Sequence, residues 1–114
     1  MPAAIVTGSD SGIGRATAVA LAQDGFDVGV TYNRDEDGAR GTAEEVEAQG
    51  QRAAVAHLDL TSLPGAADRI DKLADELGGV DVLVNCSGMG VSSPFLDLDW
   101  ADWRAVLDVD LNGA

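Results

Sequence analysis

Between a short β-branched run and a helical pattern, the stretch TGSDSGIG over residues 7–14 carries glycines at 8, 12 and 14. That arrangement can hold an anion. Gly8 turns the chain out of a strand, Gly12 has no side chain to keep a pyrophosphate at a distance, and Gly14 lets the next helix pack closely. The first N–H groups of that helix lack acceptors within it and, with the positive end of its dipole, face whatever lies over the turn. The chemistry is phosphate binding. The spacing is not the G-x-G-x-x-G order of the standard dinucleotide fingerprint, and by itself such a turn serves equally as punctuation between strand and helix.

The elements that must position this turn can be read along the chain. Residues 3–7 form a strand; Ile13, Ala16, Ala20 and Leu21 then recur at helical spacing, and Gly25 suits a left-handed C-cap. DVGVTY over residues 27–32 reads as a second strand, residues 33–38 as a polar loop, and Ala39, Ala43 and Val46 as a second helix stopped by Gly50. A third strand covers residues 52–60. Ser62, Leu63 and Pro64 open a third helix with apolar positions Ala67, Ile70, Leu73, Ala74 and Leu77, ended by Gly78 and Gly79. VDVLV over residues 80–84 is a fourth strand, apolar enough to be buried on both faces. A looser segment, residues 85–94, precedes a last helix marked by Trp100, Trp103, Val106, Leu107 and Leu111. Strands alternating with helices form right-handed βαβ units, so the fold class is α/β, a Rossmann-like parallel sheet flanked by helices. Ligands of such sheets bind beyond the carboxyl ends of the strands, where Gly8, Tyr32, Asp59 and Asn85 fall.

Composition narrows the partners. Seven basic residues against twenty acidic ones give a net charge of −13, which repels nucleic acid and anionic membrane surfaces. The acidity reads as a solvated surface spread over several helices. Cys86 and His57 are the only cysteine and histidine, so neither a disulfide within the chain nor a multi-cysteine metal site is available. With no secretory pattern and no apolar run of transmembrane length, a cytoplasmic location without metal is expected.

With those strand ends placed, the whole chain resembles the classical short-chain dehydrogenase/reductase family, nearest to 3-oxoacyl-carrier-protein reductases and small-carbonyl reductases. TGSDSGIG is similar to the family's TGxxxGIG, Asp59 in LDLT to its adenine-contacting Asp, and NCSG over residues 85–88 to its NNAG. The resemblance implies that Gly8, Gly12 and Gly14, with the backbones of Ser11 and Ile13, line the pyrophosphate and the adjoining ribose and nicotinamide. It implies that Asp59 accepts a hydrogen bond from the adenine amino group, with Leu60 beside it; the competing use of Asp59 is to cap the helix that follows. Asn85 would tie strand four to its neighbour through its amide, and Ser87 and Gly88 would border the ribose. In the family pattern VNLxG, residues 109–113 place Asp110 at the catalytic Asn, whose contribution uses a backbone carbonyl that Asp also has. Asn112 is ordinary. Asp10 puts a negative charge inside the anion-binding turn, which fits only if it points to solvent or caps the turn. Cys86 is read as packing rather than redox chemistry.

An acid at the end of the second strand binds the ribose hydroxyl of NAD, whereas an Arg nearby accommodates the 2′-phosphate of NADP. Here Tyr32 holds that place, followed by Asn33, a donor, and Arg34, which can reach a phosphate. The implied cofactor is NADP, with NAD possible; the alternative for Arg34 is a solvated loop charge paired with Asp37. The family's proton transfer needs a Tyr, a Lys four residues later and a Ser. The chain's sole tyrosine is Tyr32 and its sole lysine Lys72, so it contains no YxxxK. It reads as the N-terminal portion, residues 1–114, of one NAD(P)-binding Rossmann domain, truncated after the fourth strand and part of the following helix. As given it is expected to be inactive, and to fold marginally or self-associate. The parent would be a homo-oligomeric oxidoreductase acting on a small-molecule carbonyl or alcohol, with the loop over residues 89–94 as one wall of its pocket. A non-catalytic nucleotide-binding module is the competing reading.

Overall fold

The computed structural model describes residues 2–62, 65–88, 95–97 and 99–112. Its strands β1 (Ala3–Val6), β2 (Asp27–Tyr32), β3 (Ala53–His57) and β4 (Val82–Val84) form one parallel sheet in the order β3-β2-β1-β4. The helices are α1 (Gly12–Gln23), α2 (Glu36–Ala48), α3 (Gly65–Leu77) and α4 (Trp100–Leu107), the last continued by a π-helical turn over Asp108–Asn112. Because successive residues of a strand face opposite sides, β1 feeds two cores. Val6 joins Val28 and Val30 of β2 under α1 and α2, whereas Ala3 and Ile5 meet Leu73 and Leu77 of α3. Chain order reverses between β1 and β4, so the carboxyl ends of β1 and β2 and the start of α1 converge on one rim.

Several sequence expectations shift. The inward face of α1 is Gly14, Ala18 and Ala22, while Ile13 is 81% exposed and Ala16 and Ala20 lie outside the core. The helix lies so close to the glycine turn that a Cβ at position 14 would run into the carbonyl oxygen of Gly8, and only the smallest residues fit that face. Helix α2 starts at Glu36, inside the expected loop, because the Asp35 carboxylate accepts from the Gly38 N–H at 2.9 Å and caps it. Strand β3 is shorter than residues 52–60; past His57 the Leu58 N–H still donates to the Tyr32 carbonyl at 2.8 Å before the turn over residues 60–61. In α3 the buried alanine is Ala66 rather than Ala67. β4 is an edge strand covered on one side only, so Leu83 is 53% exposed instead of buried on both faces. Leu63, Pro64 and the loop over residues 89–94 lie outside the described residues.

The far end of the sheet is pinned by charge. Asp27, whose side chain is 3% exposed, accepts from the Arg52 N–H at 2.9 Å and from its Nε at 3.1 Å, while Arg52 Nη2 donates to the Leu77 carbonyl at the end of α3. These donors, the backbone N–H first, hold the Asp27 pKa below its ordinary value. Among the described residues, no helix is long and apolar enough to cross a membrane, and no group of three His, Cys, Asp or Glu is placed to hold a metal ion.

Candidate dinucleotide-binding site

The glycine turn is built on hydroxyl groups. Thr7 pairs through its N–H with the Val84 carbonyl at 3.0 Å, and its Oγ1 accepts from the N–H groups of Cys86 and Ser87 at 3.1 and 3.3 Å. This side chain ties β1 to the end of β4. Asn85, expected to tie strand four to a neighbour, is exposed, and its amide has no hydrogen-bond partner among the described residues. On the other flank Gly8 N–H donates to Thr31 Oγ1 at 3.0 Å, and the Ser9 hydroxyl donates to the Val6 carbonyl at 2.7 Å while accepting from the Thr31 N–H at 3.2 Å. The Thr42 hydroxyl of α2 donates to the Ser9 carbonyl at 2.7 Å. Ser9, Thr31 and Thr42 are buried, so these bonds form in a dry setting where losing one partner is costly.

Held this way, the turn opens onto a cavity of about 600 Å³. Gly8 (φ +60°) and Gly12 (φ +57°) both adopt left-handed backbone. A Cβ at Gly8 would crowd Ser87, whereas at Gly12 it would meet nothing within 4 Å, so Gly12 borders open space. Ser11 is the N-cap of α1 but makes no side-chain capping bond, and the first bond into the helix is from the Arg15 N–H to the Ser11 carbonyl. The N–H groups ahead of Arg15 are thus left without a cap. An anion is the complement of that arrangement.

The cavity brings together Gly8, Ser11, Ile13, Gly14, Asn33, Arg34, Asp59, Leu60, Ser87 and Gly88 of the residues expected from sequence. Gly12, between Ser11 and Ile13, is not among its lining residues. Asn85 does not line it; with Leu83, Ile70 and Asn112 it borders a second cavity of about 290 Å³ beside α3. Asp110 is not in the lining either, but its Oδ1 lies 3.3 Å from the position of a Cβ on Gly88, so the structure does place it against the NCSG segment. The Asn112 amide donates to Asp108 at 3.1 Å, in keeping with an ordinary role.

Charge on the cavity wall is divided. Arg15, Arg40 and Arg52 lie off the cavity and are each paired with a carboxylate, whereas Arg34 lines it, is exposed and has no partner among the described residues, Asp37 included. The Asp59 carboxylate accepts from the Thr61 hydroxyl at 2.6 Å, the Thr61 N–H at 2.9 Å and the Ser62 hydroxyl at 3.3 Å. These bonds close a local turn ahead of α3 (Gly65–Leu77) and reach no N–H of that helix. These bonds, the Thr61 hydroxyl first, lower its pKa. The residue also lines the cavity. Sequence reasoning missed Thr7, Ser9, Thr31 and Thr42 as determinants of the site, and Leu58 and Val109 as lining. It also gave Tyr32 no structural partner, whereas its ring meets His57 edge-on, centroids 5.4 Å apart.

Comparison with known proteins agrees with this geometry. Residues 2–114 match the short chain dehydrogenase family. The uncharacterized oxidoreductase YohF of Escherichia coli K12 is 50% identical over 97% of this chain and 44% of its own length. The crystal structure of acetoin dehydrogenase from Enterobacter cloacae superposes with a TM-score of 0.91 at 54% identity, over 98% of this chain and 44% of that one. A short chain dehydrogenase from Burkholderia cenocepacia J2315, solved in complex with NADP, gives a TM-score of 0.93 at 36% identity, over 98% and 46%. The chain thus spans less than half the length of the relatives it matches. With its fold, its glycine turn and a family match over nearly every residue, the chain belongs to the short chain dehydrogenase family.

Proposed function

We propose that these residues are the cofactor-binding part of an NADP-dependent oxidoreductase, able also to take NAD, that reduces a carbonyl or oxidises a secondary alcohol. The observation that carries this reading is the uncapped start of α1 opening on the same cavity as the unpaired Arg34. One anion site holds the pyrophosphate and the other the 2′-phosphate. In contrast, the start of α2 is closed by Asp35, with Glu36 and Asp37 in its first turn, and offers no third. Asn33 donates beside Arg34, Asp59 and Leu60 receive the adenine, and Ser11, Ile13, Ser87 and Gly88 border the riboses. Asp110 takes the place of the family's catalytic Asn through its backbone. The dinucleotide supplies the hydride when bound.

The 114 residues contain no Tyr-x-x-x-Lys, since Tyr32 sits on β2 and Lys72 is exposed on α3. That favours binding without turnover for this stretch alone, which is the second reading. We place the protein in the cytoplasm and its self-association on α4, which buries none of its side chains in the protomer. The NADP complex of the Burkholderia relative supports the cofactor, and the Enterobacter relative makes acetoin the first substrate to try. The test is an equilibrium titration with NADPH and NADH. Arg34→Ala is expected to weaken NADPH about tenfold while NADH stays within about twofold. Equal weakening of both contradicts the 2′-phosphate assignment.

A further inference from the structure

Asp10 is the one residue of the glycine turn that phosphate binding leaves unused. Its half-buried side chain lines the cavity and makes no hydrogen bond or ion pair among the described residues. The backbone around it is fixed. Ser9 is paired with Thr31 in both directions and held by Thr42, so residue 10 emerges between the end of β2 and the start of α2. Its carbonyl oxygen lies 2.7 Å from where Gly38 would carry a Cβ. Arg34 and Asp35 line the same cavity, but Asp35 is committed to capping α2, as Asp59 is to the turn before α3. Among the described lining residues this leaves one free carboxylate, Asp10, and one free cation, Arg34.

A carboxylate only accepts hydrogen bonds, so it repels a phosphate and takes hydroxyls, and a vicinal diol offers it two. Sheets of this kind carry the acid for the ribose hydroxyls near the end of the second strand, where this chain has Tyr32. Resting on the reading of the cavity as a nicotinamide dinucleotide site, we infer that Asp10 supplies that acid from the glycine turn instead. It accepts from the ribose hydroxyls of the adenosine half and opposes the 2′-phosphate that Arg34 attracts. Cofactor choice is then the difference between two side chains on one wall, and the wild-type protein binds NADPH and NADH within about tenfold of each other.

The experiment titrates wild type, Asp10→Asn and Asp10→Ser with NADPH and with NADH, at low and at high salt, alongside thermal unfolding of each unbound protein. Both variants are expected to move the ratio of the two dissociation constants about tenfold toward NADPH, and by less at high salt. A shift in both assigns the effect to the charge; a shift in only one, with both variants folded, overturns it as a packing effect. An unchanged ratio with a wild type that binds either dinucleotide overturns the role of Asp10 and leaves the cofactor assignment standing. A wild type that binds neither overturns both.

Discussion

A methyl group at position 14 would have to pass through the carbonyl oxygen of Gly8, a backbone atom that cannot move without dismantling the anion site. Gly14→Ala is therefore expected to cost about 3 kcal/mol in urea unfolding and to abolish NADPH binding. The buried hydroxyls behave differently. Ser9→Ala leaves the Thr31 N–H without its acceptor and is expected to cost about 2 kcal/mol, with weaker cofactor binding because the turn loses its tie to β2. The glycines were legible in the sequence because their role is steric and their spacing is local. The hydroxyls were not. Thr7 and Thr31 look like ordinary β-branched strand residues, and their partners lie 79 and 23 positions away in the chain. Asp59 carried two readings, adenine contact and a cap on the next helix; its carboxylate instead closes a turn with Thr61 and Ser62, and the residue lines the cavity.

At the scale of elements, strand and helix order follows from hydrophobic period, but the faces and ends do not. Helix α1 turns its alanines and a glycine inward and leaves Ile13 outside, because closeness to the turn selects for small size over hydrophobicity. The start of α2 was hidden in a run of acids, where one member, Asp35, is a cap and its neighbours are not distinguishable by type. Asp35→Ala is expected to lower stability by about 1 kcal/mol, seen as a lower midpoint in thermal unfolding with the fold intact. The resemblance gave Asn85 a tie from strand four to its neighbour; on the β1 side that tie is made by Thr7. A hydroxyl on a strand end and an amide on the next one can satisfy the same backbone donors, and sequence alone does not say which does.

For the whole molecule, two ends of the sheet have separate tasks: an ion pair closes one, and an open cavity occupies the other. Asp27 titrates below its ordinary value of 3.8, so its contribution is complete above that value and is lost as pH falls through the lower folded value. Asp27→Asn is expected to lose about 2 kcal/mol at neutral pH and to flatten the acid limb of the stability curve measured by urea unfolding. Leu83 on the edge strand, with Trp100, Trp103 and Leu111 on and after α4, leaves apolar surface uncovered, so the 114-residue chain is expected to self-associate at micromolar concentration in sedimentation. A monomer with one cooperative transition contradicts that. The most direct test of the central claim is amide hydrogen exchange with and without NADPH. Slowed exchange is expected at the amides of residues 11–14 and around Arg34; no protection there, or protection only around Asn85 and Leu83 beside α3, contradicts dinucleotide binding at the glycine turn.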